Sequence, residues 1–352
     1  MRGTTRLRAL FALVLVAALG LVAAACGSDS EGGTSGDGSS ESTEAGSDQP
    51  EKLVIGYQAI PNGDLAVKQL GYLEEALPDV EIEWKIFDSG GAVNEAIVAG
   101  SIDIGLAGSS PVSRGISNGI EYQVPWIHDV IGDAEALVVK DGIEDLAALE
   151  GKKVATPFAS TAHYSLLAAL ESEGVDPTSV EIIDSEPADI AAAWQRGDID
   201  GAYVWNPTLA ELIGDGGKVL ITSAELAEQG KTTYDLAVVR TEFAEQYPDV
   251  VQTWVDQQDK AVELYRSDKD TWLDAVATEL NLTPEEVDEQ AGDLIFLTAE
   301  EQAGDDYLGG GLATNLYAAA EFNLDLGEIE ELAPEQTYAD AVIAKFAENV
   351  GG

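Results

Sequence analysis

The chain has 352 residues, 45% hydrophobic and 24% charged, an ordinary globular composition for about two domains that excludes a fibrous or mostly disordered chain. Its charge is the outlier: 18 Lys and Arg against 65 Asp and Glu leave −47, a surface that repels phosphate backbones and argues against a nucleic-acid partner. A single Cys, Cys26, excludes an internal disulfide and a thiolate-rich metal site, and two His, His128 and His163, are too few for a histidine cluster, so no metal and no cofactor is expected.

Residues 1–25 read as a secretory signal of the bacterial lipoprotein type. Arg2, Arg6 and Arg8 form a basic start, Leu10 to Ala25 is apolar, and Ala23, Ala24 and Ala25 precede Cys26. The apolar run is short for a membrane span of about 20 residues. Cys26 is therefore expected to carry a lipid at the mature N-terminus and to hold the protein on the outer face of the cytoplasmic membrane. Residues 26–50 continue as a Gly, Ser and acid tether with no bulky hydrophobe to bury.

Beyond residue 50 strands alternate with helices. LVIGYQ (53–58) has β character, 65–76 reads as a helix, and VEIEWKIF (80–87) alternates as a strand. A helix over 91–99 stops at Gly100, and IDIGLAG (102–108) is a buried strand. Further pairs follow, which points to α/β architecture with parallel sheets. From about residue 241 the pattern is helical, with capping-box spacing at Thr283/Glu286 and Thr298/Glu301.

An internal repeat organises this region. AIVAGSIDIGLAGSSP (96–111) and AAWQRGDIDGAYVWNP (192–207) share a helix, a Gly, an Ile-Asp pair, an apolar strand and a polar residue before Pro. Gly100 matches Gly197 and Asp103 matches Asp200. Ser110-Pro111 matches Asn206-Pro207, each pair expected to cap a helix. Two copies imply two similar α/β lobes, with the strand ends at Gly108-Ser109-Ser110 and Val204-Trp205-Asn206 facing a common cleft.

The stretches WKIFDSG (84–90), GSSP (108–111), EALVVK (135–140), ATPFASTAHYSLLAAL (155–170) and AAWQRGDIDGAYVWNP (192–207) resemble the taurine, aliphatic-sulfonate and nitrate group of substrate-binding proteins of ABC importers, over roughly residues 53–350. The resemblance implies a two-lobed periplasmic-binding-protein (flytrap) fold, with residues 51–137 plus 238–352 as lobe I, 138–237 as lobe II and the ligand in the interlobe cleft. It implies taurine or a related small sulfonate as ligand and ABC permease transmembrane subunits as partners, with no enzymatic activity. Other sulfonates, nitrate, or an enzyme on the same scaffold are the alternatives. Ile60-Pro61-Asn62-Gly63-Asp64 departs from the family's usual run after the first strand.

A small amino-sulfonate needs hydrogen-bond donors at one end and an acceptor at the other. Helix N-termini supply donors through free amides and the positive dipole end. Ser160 or Thr161 opens one such helix, with His163 in its first turn, and Ser109 and Ser110 open another. For the ammonium, Asp235 in TYDLAVVR (233–240) begins a strand returning to the first lobe, and the family's matching Asp resembles an amine ligand. Glu135 is the second carboxylate. Trp205, Tyr57 and the adjacent Gln58 stand at strand ends as candidate walls. No GxSxG nucleophile elbow occurs. Replacing Cys26 by Ser should release the protein from membranes in fractionation; a processed variant that still partitions with membranes would contradict the lipid anchor.

Overall fold

The computed structural model describes residues 49–351. The signal, most of the tether and Cys26 lie outside them. In chain order the strands are β1 (Lys52–Tyr57), β2 (Glu81–Ile86), β3 (Ile104–Gly108), β4 (Tyr122–Ile131), β5 (Glu135–Val139), β6 (Lys153–Thr156), β7 (Glu181–Asp184), β8 (Gly201–Trp205), β9 (Lys218–Thr222), β10 (Tyr234–Arg240) and β11 (Leu294–Ile295). They form a six-stranded sheet, β11-β4-β10-β3-β1-β2, and a five-stranded sheet, β7-β6-β8-β5-β9.

The two sheets repeat one plan. β1 lies parallel between β2 and β3, as β6 lies parallel between β7 and β8. Beside each trio runs an antiparallel strand that has arrived from the other sheet: β10 against β3, and β5 against β8. Of the parallel strands, β3 and β8 are continuous apolar runs, as strands covered on both faces must be, whereas the edge strands β2 and β7 carry acids and are partly exposed. All of β3 and β5 is buried.

The repeated aspartates explain the sequence repeat. Asp103 accepts from the Val54 amide at 3.0 Å and Asp200 from the Lys153 amide at 2.9 Å, each carboxylate joining the start of its strand to the neighbouring parallel strand. Asp103 has a further partner, the Arg240 guanidinium at 2.7 Å. Gly100 and Gly197 end their helices at φ 64° and 75°, a left-handed backbone that favours Gly.

Several sequence expectations are corrected. The helix expected over 65–76 is two helices, Gly63–Leu70 and Tyr72–Ala76, broken at Gly71 with φ 67°. Ser110 is not an N-cap; Asn206 stands one residue before its helix's cap position, yet its side-chain oxygen accepts from the first-turn Ala210 amide at 3.2 Å, as a cap does. β3 runs directly into the helix Ser109–Ser117, whose cap position is Gly108, and Pro207 precedes the helix Thr208–Gly214. The start of the helix Ser109–Ser117 has no side-chain cap. The cuts expected at 137/138 and 237/238 fall inside β5 and β10, each of which stays in one sheet throughout; the chain changes sheet in the connectors 132–134 and 223–233.

One apolar core lies about the six-stranded sheet, and two others cover the faces of the five-stranded sheet. The helical C-terminal region packs on the first, and both expected capping boxes form, at Thr283/Glu286 and Thr298/Glu301. The helix Gly311–Asp325 reaches both sides: Leu312, Leu316 and Ala320 join the larger core, while Ala319 and Phe322 join the core that holds Tyr164.

Truncating Asp103 to Ala strands a strand amide and the Arg240 guanidinium, and should cost about 1–3 kcal/mol in chemical denaturation. Asp200→Ala, more exposed and without a cationic partner, should cost less than about 1 kcal/mol. Equal losses would show that the Arg240 contact adds nothing.

Candidate functional site

A cavity enclosing about 490 Å³ of empty space, counted to its open mouth, lies between the two sheets at the carboxyl ends of their parallel strands. Both sheets contribute to its wall. From the six-stranded side come Gln58, Ile60, Pro61, Gly90, Gly108, Pro111, Asp235 and Leu294; from the five-stranded side come Glu135, Ser160, Thr161, Trp205 and Asn206; Ile131 ends β4 before the connector and Ala134 is its last residue.

Three helices begin at this wall: Gly90–Val98, Ser109–Ser117 and Thr161–Ser172. Their first amides have no carbonyl one turn back to bond, so they offer donors and the positive end of the helix dipole. None of the lining residues is Lys, Arg or His. An anionic group in the cavity would be held by backbone amides, with no formal positive charge.

The helix starts meet closely. A methyl group added at Gly108 would come within 2.5 Å of the Thr161 side chain on the other sheet's side, and one added at Gly90 within 2.7 Å of Pro111. Only residues without a Cβ let these backbones approach so far.

Glu135 and Asp235 are counterparts. Each is at or next to the first residue of the strand that has crossed between sheets, Glu135 opposite Trp205 and Asp235 opposite Gly108. Their surroundings differ. Glu135 accepts from three hydroxyls, Thr161 at 2.5 Å, Ser223 at 2.7 Å and Ser165 at 3.3 Å. Burial raises its pKa and those hydroxyls oppose the rise. For Asp235 burial, reinforced by the charge of Glu135, lifts the pKa to about 7. At neutral pH Asp235 is thus poised between acid and carboxylate, and an incoming cation favours the charged form.

Six of the sequence-derived candidates line the cavity: Gln58, Glu135, Ser160, Thr161, Trp205 and Asp235. Ser160 caps its helix as expected, and the hydroxyls of Ser160 and Thr161 are both committed within the protein. The Ser160 hydroxyl donates to the Pro157 carbonyl at 2.6 Å and accepts from the His163 amide at 3.1 Å; the Thr161 hydroxyl is committed to Glu135. What these residues offer the cavity is backbone amides. Gln58 donates its side-chain amide to the Leu106 carbonyl at 3.1 Å, which turns its oxygen the other way.

The remaining candidates are not in the wall. Tyr57 stacks edge-on against Trp84, 6.1 Å between centroids, because alternation along β1 turns it away where Gln58 turns in. Ser109 accepts from the Tyr234 amide at 3.2 Å and so ties the helix start to β10, and Ser110 is buried in the same turn. His163 stacks on Phe158 at 4.5 Å with its Nδ1 3.9 Å from Glu328, and burial lowers its pKa. Gly90 and the Ile60-Pro61 pair went unassigned in the sequence, and Asn206 was expected at the cleft only as a strand end and helix cap. Gly90 lies in the family-like WKIFDSG stretch and Asn206 ends the repeat, so both had a signal; Ile60-Pro61 sits where the family pattern is lost.

Glu135→Gln should destabilise the unliganded protein by about 1–3 kcal/mol, because an amide cannot accept all three hydroxyls. Unchanged chemical denaturation would mean that the hydroxyl cluster re-forms without a carboxylate.

The family model described as the substrate binding domain of an ABC-type glycine betaine transport system matches residues 51–288. The chain is 37% identical over 273 residues to the taurine-binding periplasmic protein of Escherichia coli K12, covering 76% of this chain and 84% of that one. It is 30% identical over 257 residues to a putative aliphatic sulfonates-binding protein of Bacillus subtilis 168, covering 71% and 72%. The solved alkanesulfonate-binding protein SsuA of Xanthomonas axonopodis pv. citri, bound to MOPS, superposes with TM-score 0.69 at 23% identity, covering 85% of this chain and 98% of that one, and has the same fold. The cleft at the strand ends of two matching sheets, a family model spanning most of the chain and a relative of that identity place this protein in the family of substrate-binding domains of ABC-type transport systems.

Proposed function

We propose that the protein captures taurine, or a small amino-sulfonate of the same length, in this cleft and delivers it to the membrane subunits of an ABC importer. The observation that carries the reading is the polarity of the cavity. Two buried carboxylates, Glu135 and Asp235, stand in a wall that otherwise offers helix N-termini and no basic side chain, and the three hydroxyls on Glu135 leave Asp235 as the one to meet a cation. That pattern suits a zwitterion whose ammonium and sulfonate are one ethylene apart. The ammonium pairs with Asp235, and the sulfonate lies on the amides at the starts of the helices from Gly90, Ser109 and Thr161. Trp205 and Leu294 would pack against the carbons between them. The resemblance to the E. coli taurine-binding protein supports this choice.

In this reading, lobes I and II close on the ligand about the connectors between the sheets. The N-terminal segment tethers the protein outside the cytoplasmic membrane through Cys26. Binding is favoured over catalysis because the hydroxyls at the cavity are committed: Ser160 to Pro157, Thr161 to Glu135. His163 stacks on Phe158 and has no place in the wall beside them.

Asp235→Asn keeps the volume and removes the charge. Loss of one partner of a buried charge pair costs about 2–5 kcal/mol, and each ~1.4 kcal/mol is tenfold. Taurine affinity in calorimetry should therefore fall by roughly thirty-fold to several thousand-fold, while ethanesulfonate, which lacks the amine, should lose far less. Equal losses would mean that Asp235 supports the fold and does not read the amine. Thermal stabilisation by nitrate as large as that by taurine would sink the assignment itself.

A further inference from the structure

Asp129 is fully buried on β4, and neither of its carboxylate oxygens has a hydrogen-bond partner. It lies directly opposite Asp235 in the antiparallel pairing of β4 with β10. Side chains directly opposite in such a pair share one face of the sheet and stand about 4.5–5.5 Å apart at Cβ. Alternation along β4 also puts Asp129 on the face of Ile131, which lines the cavity.

The charged groups that act on Asp129 are both acids, Asp235 on β10 and Glu135 on β5. Farther along, Asp133 in the connector and Asp293 before β11 are acids as well. His128, one residue earlier, points to the other face, where its Nε2 lies 3.7 Å from Asp64. A carboxylate with no partner, buried among carboxylates, is held as the neutral acid.

We propose that Asp129 is a positioning residue for the cation: in the empty cleft it is the protonated partner of Asp235, and it releases its proton to solvent when an ammonium group arrives. Asp129 does not touch the ligand and acts through Asp235. With the cleft empty, the pair carries one negative charge and escapes the repulsion of two. With the ammonium in place, the added positive charge allows both aspartates to ionise, and the cation is held by the field of two carboxylates. The charge balances, since one proton leaves as one cation enters. An amine-free sulfonate brings no positive charge and displaces no proton. The pair thus deepens the proposed preference for an amino-sulfonate and rests on that reading for its ligand.

Burial, with the charges of Asp235 and Glu135, holds the Asp129 pKa well above the carboxylate range, whereas that of Asp235 is about 7. At about pH 8, then, Asp235 is largely ionised before ligand arrives, and a released proton comes from Asp129. Calorimetry of taurine binding at that pH in phosphate and in Tris, whose ionisation heats differ, counts the protons. The wild-type protein should release a sizeable fraction of one proton per taurine. Asp129→Asn and the smaller Asp129→Ser should release almost none, and the wild type should release none with ethanesulfonate. Equal proton counts in the wild type and both variants would overturn the proposal.

A second measurement needs no ligand. An acid whose pKa is raised by folding weakens the folded state progressively as pH rises past its unfolded value, so both Asp129 variants should melt higher than the wild type at about pH 8 and lose that advantage toward about pH 4. Asp129→Asn and Asp235→Asn relieve the same repulsion, so the double variant should gain less than the two single gains together. Additive gains would overturn the pair. Absence of taurine binding by the wild type, with the non-additive melting intact, would count against the taurine reading and leave the acid pair standing.

Discussion

Carboxylates are costly to bury, and this fold buries two at equivalent places, where the chain has just crossed from one sheet to the other. Glu135 and Asp235 each lie at the start of an antiparallel strand laid against a parallel trio. Glu135 is satisfied within its own half by the hydroxyls of Thr161, Ser165 and Ser223. It thereby fixes the start of the helix Thr161–Ser172 against β5. Asp235 has no such set of hydroxyls and faces another acid across the sheet, Asp129. The same backbone solution therefore yields a scaffold on one side and, on the other, an acid open to the cleft. The cleft, its polarity and the proposed ligand chemistry follow from that asymmetry.

The opposite end of the cavity uses backbone in place of side chains. Amides at helix starts are rigid donors that lose little freedom on binding, and they need no cationic partner to be buried with them. This fits a chain with a net charge of −47, whose field disfavours a bare anion more than a net-neutral zwitterion.

Contacts across the cavity are few and specific. Gly108 and Thr161 meet so closely that a single methyl group would intrude. Ser89 donates to Glu186 at 3.2 Å, and Arg114 pairs with Glu328 at 2.8 Å close to His163. The helix Gly311–Asp325 packs into cores on both sides, so any movement of one sheet against the other must slide along or bend about it.

Local patterns in the chain were enough to determine the α/β alternation, the helical final third, the two capping boxes and the repeat, because each depends on residues a few positions apart. Asp103 and Asp200 stood out by equivalence, and Asp235 by its place at the head of an apolar strand. Tertiary structure alone decided which way each polar group turned. The Thr161 hydroxyl belongs to Glu135, 26 residues away, and Tyr57 belongs to Trp84 because the pleat of β1 sends it out and Gln58 in. Asp129 gave no signal in the sequence, since a lone acid in a strand is ordinary until its neighbour is known. Its neighbour is Asp235, more than a hundred residues on, and only the register of β4 against β10 brings the two acids opposite each other. No turn joins β4 to β10, so their register comes from the packing of buried faces far apart in the chain.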